Sequence, residues 1–152
     1  MPTVMGDEID VLAKAKRALG GDYTPSDNEE YMNEAQQDYF RRLLTEWKKL
    51  ILLASQDTLQ SLQDGPIREP DLNDRASSET EWGIELRTRD RQRKLITKIE
   101  SAIRRIEEGE YGYCEVTGEP IGLGRLSARP IATLTVEAQE AHERREKISR
   151  DD

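Results

Sequence analysis

Residues 40–54 read FRRLLTEWKKLILLA, and residues 96–106 read ITKIESAIRRI. In the first stretch Phe40, Leu43, Trp47, Leu50 and Ala54 recur at alternating spacings of three and four. In the second, Ile96, Ile99, Ile103 and Ile106 repeat the pattern. That alternation is the seam of one helix lying along another. Asn33 is a good N-cap with Gln36 three residues on, so the first helix should start there. Gly65-Pro66 ends it, because proline cannot continue a helix. Ser78 with Glu81 makes a second capping box, and Gly109 and Gly112 close the second helix. Followed backward, the second seam meets Gln92, Arg89 and Trp82, so it is apolar near its base and polar in the middle. Two long helices with matching seams and a short connection predict an antiparallel hairpin.

Outward from the hairpin, no third helix of matching length is legible, so the hairpin should project from something smaller. Residues 1–32 read as a partly helical leader joining the globular end. Val11 to Leu19 suit a short helix closed by Gly20-Gly21, and Pro25 marks a linker. Residues 33–108 are the hairpin, with its tip at 65–78. Residues 109–134 form a small globular region, with Tyr113–Val116, Pro120–Ile121 and Ile131–Leu134 as short strands or knuckles. Thr135 is an N-cap for a last, heavily charged helix within 135–152. The predicted class is mainly α: a long antiparallel coiled-coil hairpin on a small globular domain with a C-terminal helix.

Composition agrees with that division. Hydrophobic residues are 35% and charged residues 36% of 152, less apolar than a compact globule of this length. The net charge of −8 does not draw the chain onto a phosphate backbone. A basic protein surface or a metal-rich cleft is the better electrostatic partner. One cysteine allows no internal disulfide, which fits a reducing cytoplasm. The start of the chain carries acids and no sustained apolar core, so no signal peptide is expected. No apolar run approaches the roughly 20 residues that span a bilayer.

No enzyme constellation is present. There is no phosphate-cradling loop, and His142 and Cys114 do not make a catalytic pair by spacing. Two other features stand out. Cys114, Thr117, Thr135 and Ala138 sit at the positions of a C-x₂-C-x₁₇-C-x₂-C zinc ribbon with three ligands replaced. Threonine and alanine are not ligands in such sites, so no zinc is expected; spacing alone favours a lone cysteine in a turn. The second feature is Asp71 and Asp74, two carboxylates three apart at the hairpin tip. Spacing alone favours ordinary turn chemistry there.

The residues become specific when taken together. YMNEAQQ at 31–37, FRR at 40–42, DLNDRA at 71–76 and ELRTRDRQRKLI at 85–96 carry a resemblance. YGYCE at 111–115, EPIG at 119–122 and RLSARP at 125–130 extend it. Over residues 30–150 the chain resembles the TraR/DksA family of bacterial transcription factors. The resemblance implies a hairpin that enters the secondary channel of RNA polymerase and changes promoter-complex lifetime, together with the alarmone ppGpp. It implies no base-specific reading of DNA, no membrane and a monomer. It makes Asp71, Asp74 and Ala76 the tip determinants and Arg91 a polymerase contact. It places Leu95, Lys98 and Arg129 around ppGpp at the polymerase interface.

Two departures matter. Family members usually hold zinc through four cysteines, whereas only Cys114 remains here, as in the cysteine-poor subgroup that works without zinc. The family often has a lysine where Gln139 stands, and losing that cation weakens phosphate binding. A structural zinc supplies about 10–16 kcal/mol of apparent binding free energy. Burial of Ile121, Leu123, Leu126, Ile131, Leu134 and Val136, at roughly 1.5–3 kcal/mol each when complete, is the expected replacement. Two rival functions remain: a transcript-cleavage factor with an acidic tip in the same channel, and a coiled-coil adaptor that would not need Asp74.

Overall fold

The computed structural model describes residues 4–21, 23–64 and 72–151, with side chains at 10–21, 23–56, 59–60, 63 and 79–149. It is mainly helical. The helices are α1 (Val4–Leu19), α2 (Glu34–Asp64), α3 (Leu72–Glu107), α4 (Leu123–Ala128) and α5 (Val136–Asp151). They divide between two compact units.

The first unit combines α1 with the stretch Thr45–Glu100, which holds most of α2 and α3. Here the two long helices run antiparallel. Lys48 pairs with Glu100 at 3.5 Å, and two turns further along α2 the Ser55 hydroxyl donates to Gln92 at 3.1 Å. The polar middle of the seam is thus a cross-helix hydrogen bond. Leu12 and Ala15 of α1 are buried in the same unit, with Trp47, Ile51, Leu95 and Ile99.

The buried face differs from the predicted seam in phase. Along α2 it runs Phe40, Leu43, Leu44, Trp47 and Ile51, and Leu50 and Ala54 are only half-buried. Along α3 it runs Leu95, Ile99, Ala102 and Ile106, with Ile96 and Ile103 half-buried. Phe40 to Ile51 and Leu95 to Ile106 are each about three turns of a 3.6-residue helix, which drifts away from a strict 3.5-residue repeat.

Helix boundaries also move. α1 begins at Val4 rather than Val11. α3 begins at Leu72, so Ser78 and Glu81 lie inside the helix and do not cap it. The reason is local: no helix breaker stands between Leu72 and Ser78, and Asp74 in the first turn suits the positive end of the helix dipole. The α2 start is as expected. The Asn33 side chain accepts the Gln36 N–H at 2.8 Å, and the Asn33 carbonyl accepts the Gln37 N–H at 2.9 Å.

The second unit joins Gly21–Leu44 to Ser101–Asp152. α3 ends where Gly109 turns left-handed at φ 78°. The Arg105 carbonyl then accepts the N–H groups of Glu110 and Tyr111, at 2.8 and 3.1 Å. The expected short strands are not formed among the described residues; a single antiparallel bridge, Tyr113 to Pro120, stands in their place. The chain instead makes α4, which buries Leu123 and Leu126. Phe40 meets Tyr111 at 5.5 Å between ring centres, and the Tyr111 hydroxyl donates to the Pro130 carbonyl at 2.7 Å. Of the apolar residues expected to replace a metal, Ile121, Leu123 and Leu126 are buried, Ile131 and Leu134 half-buried, and Val136 is 46% exposed. Val136 is the first residue of α5 and faces outward, so it drops from that set.

Candidate functional site

The four knuckle positions come together in the second unit. The Thr135 hydroxyl accepts the Ala138 N–H at 3.2 Å, and the Thr135 carbonyl accepts the Gln139 N–H at 2.9 Å. Thr135 therefore caps α5, as its position in the sequence predicts. The same hydroxyl approaches the Cys114 sulfur at 4.0 Å. Cys114, Thr135 and Ala138 are buried, and Thr117 is exposed on the turn closed by the Gly118 N–H on the Cys114 carbonyl, 2.9 Å.

Burial opposes ionisation of the Cys114 thiol. Donors from the Thr117 side chain and from the backbone of Thr135, Thr117 and Val116 outweigh that, bringing the pKa from 9.0 to about 6. In place of four thiols, the four positions carry one thiol, two hydroxyls and a methyl group. Among the described residues no group of three or more His, Cys, Asp or Glu side chains gathers to hold a metal ion.

Arg105 braces the same knuckle from the end of α3. Its guanidinium pairs with Glu115 at 2.8 Å and donates to the carbonyls of Tyr113 at 2.9 Å and Glu110 at 3.2 Å. Nothing local in the sequence singles out Arg105. Its two-residue offset from the Ile103 seam position hides that it points toward the knuckle and not toward solvent.

On the hairpin flank, Arg87, Arg91, Lys94 and Lys98 follow at spacings of four, three and four, all exposed on one face of α3. Asp90 binds Arg93 at 2.6 Å and Lys94 at 3.0 Å, and these cations hold its carboxyl below the usual range. Arg91 pairs with no carboxylate among the described residues, so its charge faces outward. In a chain of net charge −8, this is a local cationic ridge suited to an acidic surface. Asp74 and Ala76 fall in the first two turns of α3, so they stand on a helix and not on a loop. Asp71 lies outside the described residues, as does the rest of 65–71 in the expected tip at 65–78. Leu95 is buried in the hairpin face and Lys98 is exposed beside it, both in the first unit. Arg129 is exposed in the second unit, on the residue that closes α4. The Gln139 amide donates to Glu143 at 3.1 Å.

The comparisons follow this division of labour. Residues 36–106 match the model of the DksA N-terminal domain, described as that of the DnaK suppressor protein. Residues 109–144 match the prokaryotic dksA/traR C4-type zinc finger. A relative in Caulobacter vibrioides, named RNA polymerase-binding transcription factor DksA, is 60% identical over 131 residues, 86% of this chain and 92% of that protein. This chain belongs to the DksA family. A second DksA, of Escherichia coli and bearing the same name, is 45% identical over 125 residues, 82% of this chain and 83% of that one. The solved structure of transcription factor DksA2 from Pseudomonas aeruginosa superposes with a TM-score of 0.70 at 40% identity, covering 92% of this chain and 98% of the other. The DksA family is one of transcription factors, and its finger model names four cysteines. The donor set found here does not fit that zinc: three thiolates are missing, and the Thr135 oxygen is committed to the cap of α5. Among the described residues no helix is long and apolar enough to cross a membrane.

Proposed function

We propose that this chain regulates transcription by binding bacterial RNA polymerase through the α2–α3 hairpin, as a cytoplasmic, non-enzymatic and monomeric factor. The observation that carries the reading is the antiparallel hairpin with an outward cationic ridge, in a chain 60% identical to a protein named for binding RNA polymerase. The hairpin enters the secondary channel, and the tip residues Asp71, Asp74 and Ala76 reach the region of the active site. Arg91 supplies an anchoring charge on the flank. The effect is on promoter-complex lifetime, with ppGpp bound at the polymerase interface near Leu95, Lys98 and Arg129. No base-specific contact with DNA is required.

The reading includes independence from zinc. Only Cys114 of the four knuckle positions can give a thiolate, and one thiolate does not complete a tetrahedral site. Co-purification of the tagged chain with core polymerase tests the central claim, followed by open-complex lifetimes with and without ppGpp. Failure to associate with core enzyme at micromolar concentration would remove the proposal. Cleavage of backtracked transcripts by the added protein would replace it with a cleavage factor.

A further inference from the structure

The knuckle loop has a fastener that none of the family resemblances assigns. Its base is the pair Gly112 and Gly122, on either side of the Tyr113–Pro120 bridge. The Tyr31 hydroxyl donates to the Gly112 carbonyl at 2.7 Å and accepts the Gly122 N–H at 3.0 Å. One hydroxyl thus ties both ends of the loop. The Gly112 carbonyl also accepts the Ile121 N–H at 2.8 Å, and the Tyr31 ring stands edge-on to Tyr113 at 5.6 Å.

Tyr31 is itself held in place. Met32 adopts a left-handed backbone at φ 53°, uncommon for a residue with a side chain. Its N–H donates at 2.7 Å to the fully buried Gln36 side chain, whose amide donates in turn to the Ser26 carbonyl at 3.4 Å. Gly112 has no room for a side chain: a Cβ would come within 2.9 Å of Met32 Cγ and 3.1 Å of the Tyr31 oxygen. The segment is further folded on itself by Glu29, which accepts from the Tyr23 hydroxyl at 3.0 Å and the Ser26 N–H at 2.9 Å. These residues belong to one compact unit.

We infer that residues 23–33 are a strap that clips the knuckle shut through the Tyr31 hydroxyl, a closure that needs no metal. That last clause rests on the zinc-independent reading above; the geometry of the strap does not. Tyr31 is a positioning residue in this scheme, acting on the loop that carries Cys114. Opening the clip frees residues 113–121 and uncovers the thiol while α2 and α3 stay paired.

The single cysteine makes the test direct. Cys114 is buried, so a chromogenic aryl disulfide labels it in the folded chain only through local opening. The full-length wild type, Tyr31→Phe and Tyr39→Phe are compared, each with and without chelator. Tyr39 lies in the same unit, packs edge-on against Phe40 and Tyr23, and does not touch the loop ends through any hydrogen bond. The expected result is labelling about tenfold faster or more in Tyr31→Phe, the size of effect that one buried hydroxyl bridge commands, with Tyr39→Phe at the wild-type rate. Equal rates in all three chains would overturn the inference, and so would equal acceleration in both variants. Labelling of the wild type that rises only with chelator would also overturn it, since a metal and not Tyr31 would then close the loop. Should Tyr31→Phe fail to fold, amide exchange in the wild type decides. Gly122 and Met32 should share one opening, and a freely exchanging Gly122 beside a protected Met32 sinks the clip.

Discussion

The Thr135 hydroxyl reaches the Cys114 sulfur at 4.0 Å while capping Ala138 at 3.2 Å. Sulfurs around a tetrahedral zinc, with bonds of about 2.3 Å, sit about 3.8 Å apart. The hydroxyl therefore occupies nearly the place of a ligand while serving a helix cap. The Thr135 hydroxyl links the knuckle to α5.

The first prediction follows from the thiol. Folding lowers the Cys114 pKa from 9.0 to about 6, so this group stabilises the fold only when ionised. Below about pH 6 it is protonated in both states and contributes nothing. Between about 6 and 9.0 the folded chain is ionised and the unfolded chain is not, so stability rises with pH. Cys114→Ser keeps the small volume and the hydrogen-bond acceptor but does not ionise. Its urea midpoint should match the wild type near pH 5.5 and fall progressively behind toward pH 8.5, a range set by those two pKa values. A constant gap across that range refutes the ionised thiol.

The second prediction concerns metal. Purified protein should hold no stoichiometric zinc, and strong chelator should leave its thermal midpoint unchanged. Losing a structural zinc removes roughly 10 kcal/mol or more in metal-dependent fingers, so an unmoved midpoint is informative. One zinc per chain by elemental analysis, with melting by chelator, contradicts it.

How much of this was legible in the residues depends on the range of the forces involved. The α2 start was readable because Asn33, Gln36 and Gln37 are local. The cap by Thr135 was readable for the same reason. The α3 start is not legible, because Ser78-Glu81 has the form of a capping box and sequence does not say whether a helix has already begun. The exact buried face slipped by one residue at Leu50 and Ile96, where flanking residues are apolar too and packing alone decides. The roles of Tyr31 and Arg105 are not legible locally, because they reach the backbone groups of Gly112, Gly122 and Tyr113, and backbone groups leave no signature in the sequence.

The third prediction is on the flank. Arg91→Ala should weaken polymerase binding by about 1–2 kcal/mol, roughly five- to thirtyfold, and flatten its salt dependence. Helix content should not change, since Arg91 is exposed and alanine favours helix. Wild-type affinity in the variant removes Arg91 from the interface.

The fourth prediction concerns the alarmone. The Gln139 amide is occupied by Glu143 at 3.1 Å and brings no charge. Gln139→Lys should lower the ppGpp concentration needed for half-maximal effect on open-complex lifetime, and Lys98→Ala should raise it. Equal ppGpp response in all three proteins denies that these two residues meet ppGpp.

The last prediction is Asp74→Asn, expected to retain polymerase binding and lose most of the effect on promoter complexes. Asp74 sits at the third position of α3, so its charge helps the helix start. Removing that charge costs about 0.3–1 kcal/mol of local helix stability. That is too small to unfold the hairpin, whose pairing is secured further along by Ser55–Gln92, Lys48–Glu100 and the buried face. Asparagine keeps the shape and is itself accepted near helix starts, so the substitution isolates charge. Positions 74 and 91 of α3 are about 26 Å apart along the helix axis, at about 1.5 Å per residue. Anchor and effector are therefore separable by mutation. Only a group that interacts differently with two polymerase states shifts their equilibrium; in this scheme the flank holds both states and the tip distinguishes them. Competition binding and open-complex lifetime are measured on the same preparation. If both fall together, Asp74 is an anchor. If neither moves, its role ends at the first turn of α3.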